Sequence, residues 1–249
     1  RVAPGARFAM FTRARFATMA PSQAPEMLRT PLQQLCLSIK AMCPDEPVSA
    51  TLAAALTPPD GASVDAALAE LRDLRALDAE ERLTPLGRHL ARMPTDARVG
   101  KMLLHGALLG CLDPILTIAA AMSGRPLFFS PKDARDAADA AKGKLNAHGS
   151  DHLTAAAAYE GWIRAKREGG RAGERRYCDE CFLSQQALEA VRASRIEYAS
   201  ILADLGFVEG EYARAIRRDG RGGGVADSNA ANVRVVKAAL TAGFYPHVL

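Results

Sequence analysis

At 249 residues, 49% hydrophobic and 24% charged, the chain can bury a sizeable core and is long enough for more than one compact unit. Its longest apolar run, around Ile115 to Met122, falls short of bilayer thickness, which excludes a membrane span. A formal charge of only +4 excludes a globally basic protein and leaves any basic footprint local.

The first residue is Arg, which suggests a piece of something longer. Arg1, Arg7, Arg13 and Arg15 precede the first acid, Glu26. That pattern resembles a mitochondrial presequence, although serine is scarce. In "ARFAMFTRARF" the apolar positions Phe8, Met10 and Phe16 predict a strand leading into a helical turn. Leu32, Leu35, Ile39 and Met42 then recur at spacings of three, four and three, the stripe of one helix. "SATLAAAL" is a short second helix, stopped by Pro58-Pro59-Asp60-Gly61. A third, "SVDAALAELRDL", is expected to start with Ser63 as N-cap and to bury Val64, Ala67, Leu68 and Leu71. Ala76 to Asp78 and Arg82 to Thr84 are placed to pair across an acidic turn as a small hairpin. Three helices followed by a hairpin is the order of a winged-helix module.

Thr84 with Pro85 behind it reads as a helix start, and Pro94 is expected to end that helix after Met93. Asp96 caps the next one. "RVGKMLLHGALLGCLDPILTIAAAMS" is apolar nearly all round, so it predicts two central buried helices divided near Asp113-Pro114. Ser130-Pro131 looks like the start of another. Ser150-Asp151 caps "HLTAAAAYEGWIRAKRE", and Ser184 opens a long helix that closes at Leu205-Gly206. "RAIRRDGRGGGVADSNA" has the composition of a flexible basic connector. A final helix runs to Gly243, with a strand beginning at Tyr245. Five cysteines, Cys36, Cys43, Cys111, Cys178 and Cys181, do not form a disulfide framework in a chain of this length and suit an intracellular, reducing compartment, with nucleus, cytoplasm and mitochondrion not distinguished. Cys178 and Cys181 form a CxxC, but tetrahedral zinc needs two further ligands and none follows nearby.

Taken together, "LRTPLQQLCL", "LTPLGRHLARMPTDARVGKMLL", "GCLDPILTIAAAMS", "SDHLTAAAAYEGW" and "NVRVVKAALTAGFYPHV" resemble the C-terminal region of DEAH-box, RNA helicase A-type helicases, in the family's order and over nearly the whole chain. The resemblance implies a mainly α protein. Residues 1–27 would be the C-terminal remnant of the second RecA-like domain, 28–95 a winged helix, and 96–208 a ratchet-like helical bundle. Residues 209–231 would be a basic Gly-rich linker and 232–249 a helix leading into a missing OB-fold. By the same match Arg1 would be the closing arginine of the last RecA motif, touching the ATP γ-phosphate. ATP and magnesium would belong to the full enzyme, because this chain has neither a GxxxxGK[ST] loop nor an Asp-Glu-x-His motif. Implied partners are single-stranded RNA, the enzyme's own RecA domains and OB-fold, and a G-patch or other docking protein; no membrane is among them.

The resemblance gives the helix starts at Ser150, Asp151 and His152, and at Ser184 and Gln185, a reading as RNA contacts, since exposed backbone N–H groups there meet phosphate oxygens. Tyr159, with Trp162 one turn on and Lys166 a turn further, has the spacing to stack bases beside a phosphate-binding lysine, or to be core aromatics. Arg88, His89, Arg92 and Arg98 around Pro94 fit phosphate contacts or interdomain ion pairs. Arg164, Lys166, Arg167, Arg171, Arg175 and Arg176 form a basic run whose ordinary meaning is a solvated loop. The expected role is an accessory region that helps wall a single-strand RNA channel and couples RecA closure to translocation. The alternative is a winged-helix protein-docking module without RNA contact, because its reading helix, Val64 to Leu74, carries Asp65, Glu70 and Asp73 against Arg72 and suits a major groove poorly.

Overall fold

The computed structural model describes residues 4–6, 8–146 and 148–245, and among them the architecture is helical throughout. Helix α1, Arg13–Ala17, is a single exposed turn capped by Thr12. The strand expected just before it does not form: residues 8–12 are irregular, with Phe8 and Met10 exposed. A strand needs a ladder partner for its N–H and C=O groups, and no described residue supplies one.

The next unit packs α2 (Gln33–Met42), α3 (Val48–Ala53), α4 (Gly61–Asp73) and α5 (Pro85–Leu90) around a small apolar core. Helix α2 turns Leu32, Cys36, Leu37 and Ile39 inward, while Met42, expected on that face, is exposed. Helix α4 buries Val64, Ala67, Leu68 and Leu71 as its periodicity requires, but its N-cap is Asp60. The Asp60 carboxylate accepts from the Ser63 N–H at 2.8 Å and from its hydroxyl at 2.7 Å, so Ser63 answers the cap from the third helical position. The hairpin condenses to one bridge, Leu77 to Leu83, flanked by Asp78 N–H to Arg82 C=O at 3.0 Å and Thr84 N–H to Ala76 C=O at 3.0 Å. Gly87 permits α5 to lie against this bridge, since a Cβ there would fall 2.0 Å from the Ala76 carbonyl oxygen.

Thr84 caps α5 through the Gly87 N–H at 3.0 Å, with Pro85 in the first turn. The helix stops at Leu90, earlier than Pro94 would have ended it, in a turn closed by Met93 N–H to Leu90 C=O at 3.0 Å. Asp96 caps α6, Ala97–Leu108. Helix α7, Leu112–Ser123, carries Asp113 and Pro114 inside its first turn rather than at the break; proline is tolerated there because early N–H groups lack intrahelical acceptors. α7 is the central helix, packed by α6, α9 (Asp151–Cys181), α10 (Gln185–Asp204) and α12 (Val233–Phe244). Helix α8, Arg135–Leu145, begins after a turn in which the Ala134 N–H bonds the Pro131 carbonyl, so Ser130-Pro131 precedes the helix instead of opening it.

Two stretches differ from their sequence reading in kind. The basic connector contains α11, Gly210–Asp219, which buries Tyr212 and Ile216 one turn apart, and a 3-10 turn at Gly224–Asp227. That apolar pair anchors a segment whose composition alone looked flexible. α9 is a helical hairpin: Gly170 has φ 56° and ψ −146°, and the chain doubles back there. Gly173 lies so close to the first arm that a Cβ would sit 2.6 Å from the Ala165 carbonyl oxygen, and Gly161 equally faces the Tyr177 hydroxyl. A straight helix would hold residues 161 and 177 about 24 Å apart. Helix α12 runs to Phe244 with Tyr245 as its cap, and residues 246–249 lie outside the described set.

Candidate nucleic-acid interface

Ser150 adopts extended backbone and caps α9, its hydroxyl accepting from the Leu153 N–H at 3.5 Å while its carbonyl takes the Thr154 hydroxyl at 2.8 Å. The exposed Asp151 carboxylate meets the Lys142 ammonium at 2.8 Å, a bond that lowers its pKa. His152 is half-buried with its ring stacked on Phe244, centroids 5.4 Å apart. Asp151 and His152 border an open recess of about 330 Å³ with Ile118, Met122, Phe128 and Lys142. The Lys142 ammonium lies 5.6 Å from the Phe128 ring centroid. This mouth brings together a helix start, an imidazole, an apolar floor and the Lys142–Asp151 ion pair, so a phosphate would displace the Asp151 carboxylate to reach the ammonium.

Ser184 and Gln185 stand elsewhere. Ser184 caps α10 through the Ala187 N–H at 3.3 Å, and its own N–H bonds the Leu127 carbonyl at 2.8 Å. Gln185 is exposed and donates to Glu174 at 3.3 Å beside a separate recess that Lys166 and Glu189 share. The expected contacts thus fall into two groups, at the two helix starts.

Tyr159 and Lys166 take inward roles. Tyr159 is buried against Trp162, centroids 5.5 Å apart, and the Arg195 guanidinium covers its ring at 4.6 Å, so no face is left for a base. Trp162 is fully buried. The Lys166 ammonium sits 4.7 Å from the Trp162 centroid and is tied to Glu189 at 2.8 Å and buried Glu174 at 3.4 Å; its charge is spent inside the fold. Around Pro94, Arg98 pairs with Glu70 of α4 and His89 packs edge-on against Phe207 at 4.9 Å. Those two join the winged helix to the bundle. Arg1 lies outside the described residues.

A buried polar cluster went unread in the sequence. Arg195, fully buried on α10, donates to the Asp113 carboxylate at 2.7 Å, the Asp113 carbonyl at 2.7 Å, the Gly220 carbonyl at 3.0 Å, and the Thr117 hydroxyl. Asp113 also accepts from the Gly222 N–H at 2.9 Å, and Asp227 caps α7 through the Asp113 N–H at 2.6 Å. Burial first, then the neighbouring Asp113 charge, push the Asp227 carboxyl up to about 6. The available signal was an arginine on the apolar stripe Leu188, Val191, Tyr198 and Leu202. A charge at a core position calls for a partner.

With caps, recess and hairpin in place, comparison with known proteins decides the family. Residues 67–95 match the winged-helix part, and residues 96–155 the ratchet-like part, of the helicase associated domain, HA2. The chain carries the HA2 domain over residues 67–155, and its relatives are DEAH-box RNA helicases. It is 40% identical over its whole length to the human protein DHX57, named as an ATP-dependent RNA helicase, and covers 19% of that protein. It is 39% identical, again over its whole length, to the mouse ATP-dependent DNA/RNA helicase DHX36, of which it covers 24%. The chain thus spans about a fifth to a quarter of the length of these relatives. Among the described residues no helix is long and apolar enough to cross a membrane. None of them forms a cluster of three metal-ligating side chains.

Proposed function

We propose that this HA2 region serves an ATP-dependent RNA helicase by walling part of its single-strand RNA channel, with the α9 start at Ser150, Asp151 and His152 meeting the strand. ATP and magnesium would act in the RecA pair, and the bundle would turn RecA closure into movement along RNA. The observation that supports this best is the recess beside His152, where the start of α9, the Lys142–Asp151 pair and the Phe128 ring meet, with Phe244 stacked on the imidazole. Ser184 and Gln185 would contribute a second helix start farther along the strand. Domain docking on the winged helix by a G-patch or other protein is the alternative. No contact favours it, because Glu70 of α4 is already engaged by Arg98 and Gln33.

His152→Ala tests the reading. In the full helicase it should slow unwinding and weaken RNA-stimulated ATP turnover, while basal turnover and melting temperature stay near the parent's, since a half-buried ring at a helix start leaves no core cavity. Normal unwinding by the variant would confine α9 to a structural role. The isolated chain, lacking a phosphate-cradling loop, should hydrolyse no ATP.

A further inference from the structure

We propose that the tip of the α9 hairpin is a second nucleic-acid contact, in which Arg164, Arg167, Arg171 and Arg175 grip the phosphate backbone outside the channel. The inference rests on the helicase reading for its choice of ligand and on the hairpin geometry for its place. Gly170 reverses the chain, and Gly161 and Gly173 bring the two arms into contact. Lys166, Glu174 and Glu189 then lock the inner face to α10. The arginines are left outside, all exposed.

Their pairing is poor. Arg171 and Arg175 have no carboxylate partner among the described residues. Arg164 reaches Glu160 only at 3.7 Å, and that carboxylate is already held by Arg221 at 2.7 Å. Arg167 finds only its neighbour Glu168, at 4.0 Å. Exposed pairs at such distances contribute almost nothing. Between residues 164 and 176 six cations face two carboxylates, Glu168 and Glu174, a local +4 that equals the formal charge of the entire chain. On α11 the exposed Arg214 and Arg218 are matched by Glu211 at 2.8 Å and Asp219 at 2.9 Å, and a single arginine, Arg217, is left without a carboxylate among the described residues, whereas the hairpin tip groups four poorly paired ones.

Phosphate fits the hairpin better than other anions. All the free cations are arginines, whose planar forks bond phosphate oxygens in pairs. The exposed tip residues include no aromatic ring, so contact would be to the backbone and would ignore sequence. Along the first arm, Arg167 lies about 22 Å beyond His152, too far to share its nucleotide.

Fluorescence anisotropy of the whole 249-residue chain with a labelled RNA duplex and a labelled uridine strand, from about 50 to about 200 mM salt, tests this. Replacing Arg164, Arg167, Arg171 and Arg175 by Gln should weaken binding about tenfold or more at the low-salt end and flatten the salt dependence by about 3 in log–log slope. Replacing the same four by Lys should retain most of the affinity, and both variants should melt with the parent because the side chains are exposed. An unchanged slope in the Gln variant overturns the proposal, as does polyglutamate competing as well as RNA, which would make the tip an acidic-protein site. If His152→Ala abolishes binding and the Gln variant does not, the channel reading stands and the hairpin contact falls. A parent chain that binds neither RNA at low salt defeats both.

Discussion

The winged-helix half and the bundle half are tied together by different kinds of bond. Around α2 to α5 the short-range bonds, Asp60 with Ser63, Thr84 with Gly87 and Asp78 with Arg82, are joined by three longer ones, Gln33 to Glu70, Gln34 to the Met93 carbonyl and the Val48 N–H to Glu81, none of which involves a fully buried charge. The bundle is closed by contacts between residues far apart in sequence, with Arg195 reaching Asp113 and Asp227 reaching the start of α7. Damage to the first half should therefore stay local and modest. Damage to the second should spread, because one cluster holds α7, α10 and the segment after α11.

The sharpest test removes the buried guanidinium. Arg195→Met leaves Asp113 without its cation and strips the Gly220 carbonyl and Thr117 of a donor, so a loss of about 3–5 kcal/mol is expected. Denaturant titration measures it. A loss below about 1 kcal/mol would place the bundle's stability in its apolar packing and erase the contrast between the halves.

Asp227 sharpens the same comparison through pH. Its carboxyl faces Asp113 on α7, Arg195 on α10 and Tyr212 on α11, and burial raises it from 3.8 to about 6. A raised acid favours the folded state when protonated. That stabilisation is complete below about pH 3.8 and disappears as pH rises through about 6. Asp227→Asn keeps an oxygen for the Asp113 N–H and cannot ionise, so near neutral pH it should be more stable than the parent by about 1–2 kcal/mol, with the gap closing toward about pH 4. Urea midpoints for both proteins across that range decide it. A gap independent of pH would remove ionisation as the cause.

The same division explains what could be read in advance. Thr84, Asp96, Ser150 and Ser184 were legible as caps because a cap oxygen and the N–H groups that donate to it lie within three residues. Helix α4 showed its buried face through local periodicity. The Asp113, Arg195 and Asp227 cluster was not legible, since no local pattern says which distant acid will meet a core arginine. The α9 hairpin was missed for a related reason. Gly169-Gly170 follows the helix expected over His152 to Glu168 and falls in a basic run whose ordinary meaning is a solvated loop, and only packing of Gly161 and Gly173 against the opposing arm shows a second helical arm turning back on the first. At the start of α9 the Ser150 cap could be placed from sequence, whereas burial of Tyr159 and capture of Lys166 by Glu189 depend on how α9 meets α10.

A smaller effect is expected from the winged helix. Thr84→Ala removes the cap bond to Gly87 and the hydroxyl bond to the Arg75 carbonyl at 2.7 Å, which should cost about 1 kcal/mol. Amide exchange should quicken in α5 and at the Leu77 to Leu83 bridge while α9 and α10 keep the parent's protection. Equal acceleration in both halves would show that they unfold as one unit and that the buried charge cluster of the bundle does not partition their stability.

The smallest effect should come from the residue that looks most disruptive in the sequence. Pro94 is exposed, and α5 has already ended at Leu90. The break between α5 and α6 is held by other groups. Met93 is fully buried, and its carbonyl accepts from the Gln34 side chain at 2.9 Å and the Thr95 N–H at 2.8 Å. Asp96 caps the following helix through the Arg98 N–H at 2.9 Å. Pro94→Ala should thus change stability by no more than about 0.5 kcal/mol and leave two separate helices, because neither the cap nor the buried methionine is touched. Asp96→Ala should cost about 1 kcal/mol and speed exchange at the Arg98 and Val99 amides. If Pro94→Ala proves the more damaging, the ring is restraining the junction directly, and the helix boundary belongs to the proline after all rather than to the capped and buried residues on either side.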